Sequence, residues 1–211
     1  MKFTFLLVLA FITLSCNPKT KTQSLNGRTS IAVMTDSSEG LDMRKFVILN
    51  GNIKDSIVEY LKINGKEYAN QIWLVNKNKD TIGGNYFKNW VKDSTKLGEM
   101  TRLRYELIKP NISFESDMHI LIPKNDDELK NDYSNLFDIK LDTLLSLKND
   151  GISHPEILGL DLPLNHIVEF GLKYGKPGQK RVRGVIIERG KKDSKEYERR
   201  LFFNNSFYIK E

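Results

Sequence analysis

The chain has 211 residues, a formal charge of +6, 28% charged and 39% hydrophobic residues, and one cysteine. A single cysteine excludes an internal disulfide, so the fold rests on its core alone, and the length suffices for one or two domains. The positive excess is local: between Lys173 and Arg200 eleven Lys and Arg stand against four acids, a net of +7, which leaves the rest slightly acidic.

The first element is MKFTFLLVLAFITLSC, in which Lys2 precedes an apolar run from Phe3 to Leu14, followed by Ser15 and Cys16. A helix that spans a bilayer needs about 20 apolar residues. This shorter run reads as the h-region of a signal peptide covering 1–15. Ending on Ser15-Cys16, it resembles the leaders of bacterial lipoproteins of the Bacteroidota kind, cut just before a cysteine that is then diacylated. The resemblance implies lipidation at Cys16 and attachment to the membrane through that lipid. It also gives the only thiol a use. No acidic cluster follows Cys16, which points to the periplasmic side of the outer membrane. Export also argues against a nucleic-acid partner.

Residues 16–40 are polar, with few aromatics, and read as a lipidated tether; only Ser30 to Met34 has the pattern of a short strand there. From Arg44 onward the pattern is mainly β. Lys45 to Leu49 is a short apolar strand. Ile57–Ile63 and Lys66–Tyr68 flank Asn64-Gly65, a pair that supplies the positive φ of a two-residue hairpin turn. A helix from an Asn52 cap to Ile63, with Gly65 just past its end, competes with that reading; the weight of Ile, Val and Tyr favours strands. Ile72-Trp73-Leu74-Val75 is apolar on both faces and reads as a central strand. Asn76 to Asp80 turns, and Thr81 to Phe87 returns with a bulge suggested by Gly83-Gly84.

Thr101–Leu107 alternates, with Leu103, Tyr105 and Leu107 inward. His119–Ile122 is a strand ended by Pro123. Residues 124–135 read as a polar loop or one helical turn, and Phe137, Ile139 and Leu141 alternate again. The last part reads as a three-stranded meander: Val168 to Tyr174, Lys180 to Arg189 and Tyr197 to Ile209. Many short strands with turn signals about every ten residues indicate a sandwich. The stretch KPGQKRVRGVII resembles the turn-then-strand segment late in immunoglobulin-like domains. The expected fold is therefore mainly β, one or two immunoglobulin-like antiparallel sandwiches, as a domain over 41–135 and another over 136–211.

Chemistry-bearing motifs are sparse. The sequence has no GxSxG, P-loop, GxGxxG or HExxH. His154, Glu156, Asp161 and His166 are metal-ligand types in one segment, but their spacing fits no helical pair, so neither a metal nor another cofactor is expected. Three tripeptides, Asp55-Ser56-Ile57, Asp80-Thr81-Ile82 and Asp142-Thr143-Leu144, resemble the acceptor motif for periplasmic O-glycosylation in Bacteroidota, which implies Ser56, Thr81 and Thr143 as acceptors. Asp followed by a hydroxyl residue is also ordinary turn chemistry. Arg181, Arg183 and Arg189 share strand parity, so they are expected to form an outward row of cations, serving solubility or docking an acidic partner or headgroups. Together these features suggest a lipid-anchored envelope binding or scaffold protein, not an enzyme, facing an envelope protein or glycan. The alternatives are an envelope enzyme with a dispersed active site and an immunity-type lipoprotein.

Overall fold

A computed structural model describes residues 24–25, 28–35, 44–49, 53–108, 110, 112–155 and 163–211. The leader, Cys16, Glu156 and Asp161 lie outside the described residues. Among those described, no helix is long and apolar enough to cross a membrane. The protein is mainly β, with several sheets packed together as a sandwich.

Six strands form an antiparallel meander in chain order: β1 Ser24–Leu25, β2 Arg28–Thr35, β3 Arg44–Leu49, β4 Asp55–Ile63, β5 Lys66–Val75 and β6 Thr81–Asn85. Asn64 and Gly65 take φ of 48° and 75°, so the hairpin between β4 and β5 forms and the competing helix does not. The strand expected at Ser30–Met34 is present and longer, and it ties part of the expected tether to β3.

A three-stranded sheet holds β12 (Ile167–Lys173), β9 (Met100–Leu107) and β7 (Phe87–Val91) in that order. A five-stranded sheet holds β11 (Leu141–Leu145), β10 (Asp117–Pro123), β13 (Gly178–Lys192), β14 (Lys195–Lys210) and β8 (Ser94–Lys96), with one parallel pair, β8 on β14.

The five-stranded sheet is the middle layer. On one face Met118, Ile120, Val182, Ile186, Leu201 and Phe203 meet Leu103, Tyr105, Leu107 and Val168 of the three-stranded sheet. Each such side chain contributes about 1.5–3 kcal/mol by leaving water. On the other face Val185, Ile187 and Phe202 meet Leu61 and the buried Leu129, Tyr133 and Leu136. Because β13 is covered on both sides, all of Val182 to Glu188 is buried, which is why Val185, Ile186 and Ile187 are apolar on both faces.

Two expectations are corrected. The last part is not a three-stranded meander. Its first strand, β12, pairs with β9, and its second, β13, has β10 on one side and β14 on the other. Strands on either side of residue 135 therefore share sheets. Phe137, Ile139 and Leu141 do not alternate along a strand: Leu136–Asp138 is a 3₁₀ turn and β11 begins at Leu141. With three residues per turn, the inward set becomes Tyr133, Leu136 and Ile139, and Phe137 is turned out.

Candidate functional site

The three sheets meet at a joint built on β4 and β5. Glu59 is buried on β4, and its carboxylate accepts from Asn70 Nδ2 (2.8 Å) and Gln71 Nε2 (2.9 Å). Both carboxamides are thereby oriented, and each reaches another sheet. Gln71 Oε1 accepts from the Phe87 amide of β7 at 3.1 Å. Asn70 Oδ1 accepts from the Phe202 amide at 2.7 Å, and Asn70 Nδ2 donates to the Phe202 carbonyl at 2.9 Å. The Asn70 side chain thus takes the place of a neighbouring strand on the edge of β14.

Farther along that edge, the Tyr208 amide donates to the Asp93 carbonyl at 2.9 Å, where β8 begins to pair. Alternate residues of an antiparallel strand turn their peptide groups to the same edge. Asn204 and Ser206 therefore face outward between these two anchors, and no described strand pairs with them there. The edge is open for a short length, and a cleft lies against it.

The cleft consists of two adjoining hollows of about 570 and 320 Å³. Aromatic rings form much of the wall: Trp73, Tyr86, Phe87 and Trp90. Trp73 stands between Phe46 and Tyr86, with ring centroids 6.2 and 6.0 Å away. Its cross-strand partner on β6 is Gly84, at φ 126°, where a Cβ would strike the Ile72 carbonyl. Only glycine fits, and it leaves the indole without a side chain beside it on that strand. The expected bulge is here, one step along, where the register shifts opposite Leu74 and Val75. Trp90 is 60% exposed. Carboxamides complete the wall: Asn89, Asn204 and Asn205. Asn205 Oδ1 accepts from the buried Tyr105 hydroxyl at 2.6 Å. Asn204 is 8% exposed, and its Oδ1 finds no donor among the described residues. Such an atom costs about 1–3 kcal/mol.

Ion pairs line two other hollows. Beside the tip of the β13–β14 hairpin, Arg189 pairs with Glu198 and Lys191 with Glu196. Near Pro123, Lys124 pairs with Asp142 and Arg181 with Asp126.

The expected outward row of cations is corrected. Arg181, Arg183 and Arg189 do share parity, but the segment from Asp126 to Ile139 covers part of that face. Arg183 is 1% exposed. Its Nε donates to Asp126 Oδ1 (2.9 Å), and its Nη2 donates to Asp126 Oδ2 and to the carbonyls of Asp126 and Leu129. It clamps the covering segment to the sheet. Of the expected glycosylation acceptors, Thr81 and Thr143 are exposed and Thr81 lies on the cleft rim, whereas Ser56 is half-buried between β3 and β5.

His166 is fully buried. Its Nε2–H donates to the Ser116 carbonyl (2.9 Å), which leaves Nδ1 as the acceptor nitrogen, unpartnered among the described residues. Burial holds its pKa below the ordinary histidine value. Ser116 donates to Glu188 (2.8 Å), and Glu188 lies 2.9 Å from Arg199 Nε. Serine, histidine and carboxylate are thus together, but the carboxylate holds the serine instead of orienting the histidine. All three are sealed from solvent, unlike a nucleophile and base that must meet substrate. His154 pairs instead with Asp150 at 2.8 Å. Among the described residues no three His, Cys, Asp or Glu are grouped to hold a metal.

The cleft was not legible in the sequence. Trp73 sits in an apolar run that reads as core, and its exposure depends on Gly84 across the sheet. The one available signal is that both tryptophans of the chain fall within eighteen residues, on either side of Gly83-Gly84. No family model, curated protein or solved structure matches the chain.

Proposed function

We propose that the chain is a cell-envelope binding or scaffold protein, anchored to the outer membrane through a lipid on Cys16 and facing the periplasm, and that it meets its partner through the aromatic and carboxamide cleft. The anchor rests on the leader that ends in Ser15-Cys16. The contact surface rests on one observation: Asn204, whose buried Oδ1 has no donor among the described residues, lines the hollow that adjoins the one walled by the 60%-exposed Trp90. A folded protein gains nothing by itself from that pairing of exposed ring and unmatched acceptor; a ligand that covers both does. Glycosylation at Thr81 or Thr143 is part of the same proposal, with Thr81 placed to crowd the cleft rim.

Two measurements test it. Cys16→Ser is expected to release the protein from the membrane fraction, and sedimentation after a high-salt wash would contradict the anchor. Affinity capture from envelopes, read by mass spectrometry, is expected to recover a ligand with the native chain and to lose it with Trp90→Ala. Equal recovery by both chains would contradict the cleft.

A further inference from the structure

We infer that the cleft binds a neutral glycan, its sugar rings lying on Trp90 and Trp73 and its hydroxyls bonded by Asn89, Asn204 and Asn205. The inference rests on the cleft being the contact surface and names what it takes. Three observations carry it.

The first is charge. Among the described lining residues Lys88 alone is charged, and Glu59 beneath them is buried and committed to Asn70 and Gln71. A site for a phosphate, carboxylate or cation gathers opposite charges; this one does not.

The second is the pairing of groups. A sugar has apolar faces of C–H bonds and a rim of hydroxyls that both donate and accept. Aromatic faces carry partial negative charge and attract such C–H groups. Carboxamides offer a donor pair and an acceptor in one plane. Asn204 is more than nine-tenths buried and lines the hollow, and its Oδ1, which has no donor among the described residues, is an acceptor for a hydroxyl that reaches it.

The third is length. The open edge of β14 has only two outward positions, Asn204 and Ser206, between the Asn70 anchor at Phe202 and the Asp93 anchor at Tyr208. Strands span about 3–10 residues, so an added peptide strand has little to pair with. The peptide group of Asn204, beside the hollow, suits a ligand hydroxyl instead. Both hollows fall in or near the range of small-ligand sites, about 300–1,000 Å³, and they are shallow and continuous, as fits a short stretch of a longer chain of sugars.

Trp73 and Trp90 are the only tryptophans in the sequence, so intrinsic emission reports on this cleft alone. The full-length protein, in a detergent without sugar headgroups, is titrated with neutral hexasaccharides of glucose, mannose, xylose and N-acetylglucosamine. Polygalacturonate and a mixed hexapeptide library serve as the charged and peptide probes. The expected result is a saturable emission change with at least one neutral hexasaccharide. It persists in about 1 M sodium chloride, where the Debye length is about 3 Å. Trp73 supplies the remaining signal in Trp90→Ala, whose affinity falls about tenfold or more, as when a central contact aromatic is truncated; Asn89→Ala weakens binding in the same direction. A response to the peptide library alone would overturn the glycan and leave the cleft standing as the contact surface. A salt-sensitive response to polygalacturonate alone would overturn the neutral ligand. No response to any probe, with envelope capture still dependent on Trp90, would overturn the glycan only. No response together with capture indifferent to Trp90→Ala would overturn both the glycan and the proposed function.

Discussion

Arg183 and Asn204 are cross-strand partners on β13 and β14, and both are more than nine-tenths buried. Arg183 is saturated: a two-pronged pair with Asp126 and several backbone carbonyls take its donors. Asn204, directly across, holds a buried acceptor that no described residue satisfies. The difference is what lies outside each residue. The 126–139 segment folds over Arg183, whereas on the far side of Asn204 the sheet edge opens into the cleft. A buried charge without partners is too costly to keep, so the chain brings cover to it. A lone carboxamide oxygen costs less and is tolerated beside the cleft, where the proposed ligand would supply a donor.

The largest expected effect breaks the saturated side. Arg183→Met should lower stability by about 3 kcal/mol in urea unfolding. That is the lower end for a broken buried pair, because Asp126 keeps 28% of its side-chain exposure and regains water. The covering segment should also loosen, seen as faster hydrogen exchange at Leu129 to Leu136. An effect under about 0.5 kcal/mol would mean that the clamp is ornamental.

Next is the joint below the cleft. Glu59→Leu leaves the Asn70 and Gln71 carboxamides without their shared acceptor and should cost about 2 kcal/mol. Trp emission should shift as well, because Gln71 ties β5 to β7 beside both indoles. Loss of stability without a change in emission would separate the joint from the cleft.

A third expectation concerns pH. Burial holds His166 below its ordinary value of 6.5, and burial followed by the Arg189 charge does the same for His119. In the unfolded chain these groups take up protons first. Their contribution is therefore fully kept above pH 6.5 and falls as pH drops from there toward their folded values. His166→Gln should flatten that slope in thermal unfolding between about pH 7.5 and 5.5, leaving the His119 share. The lowered carboxyls of Asp132, Asp150 and Glu198 act in the same direction, but only as pH falls below the ordinary carboxylate range.

Smallest of all is the effect on the open side. Asn204→Leu should leave stability unchanged or raise it by up to about 1 kcal/mol, since an unmatched acceptor is replaced by an apolar group of similar size. A loss of more than about 1 kcal/mol would show that Asn204 is matched after all and remove the contrast with Arg183.

Local patterns carried well from sequence to structure. Asn64-Gly65 sets its hairpin through backbone conformation at two adjacent residues. Leu103, Tyr105 and Leu107 are fully buried as their alternation requires. What the sequence did not show is long-range. The pairing of Glu169 with Arg104, at 2.7 Å and sixty-five positions apart, leaves no mark near either residue. Parity placed Arg181 and Arg183 on one face, but nothing nearby in sequence tells that a segment some fifty positions earlier would cover it. The cleft leaves no local mark for the same reason: it needs β5, β6, β7 and β14 together, and its distinguishing residue is a glycine opposite Trp73.

The proposed ligand enters on the open side of β14 and not at the basic hairpin. Backbone hydrogen exchange on the native chain, alone and with the ligand recovered by capture, tests this most directly. The account predicts new protection at Tyr86 to Trp90 and Phe203 to Ser206, with Arg189 to Arg200 unchanged. Protection confined to Arg189 to Arg200, with the cleft exchanging as before, would contradict it.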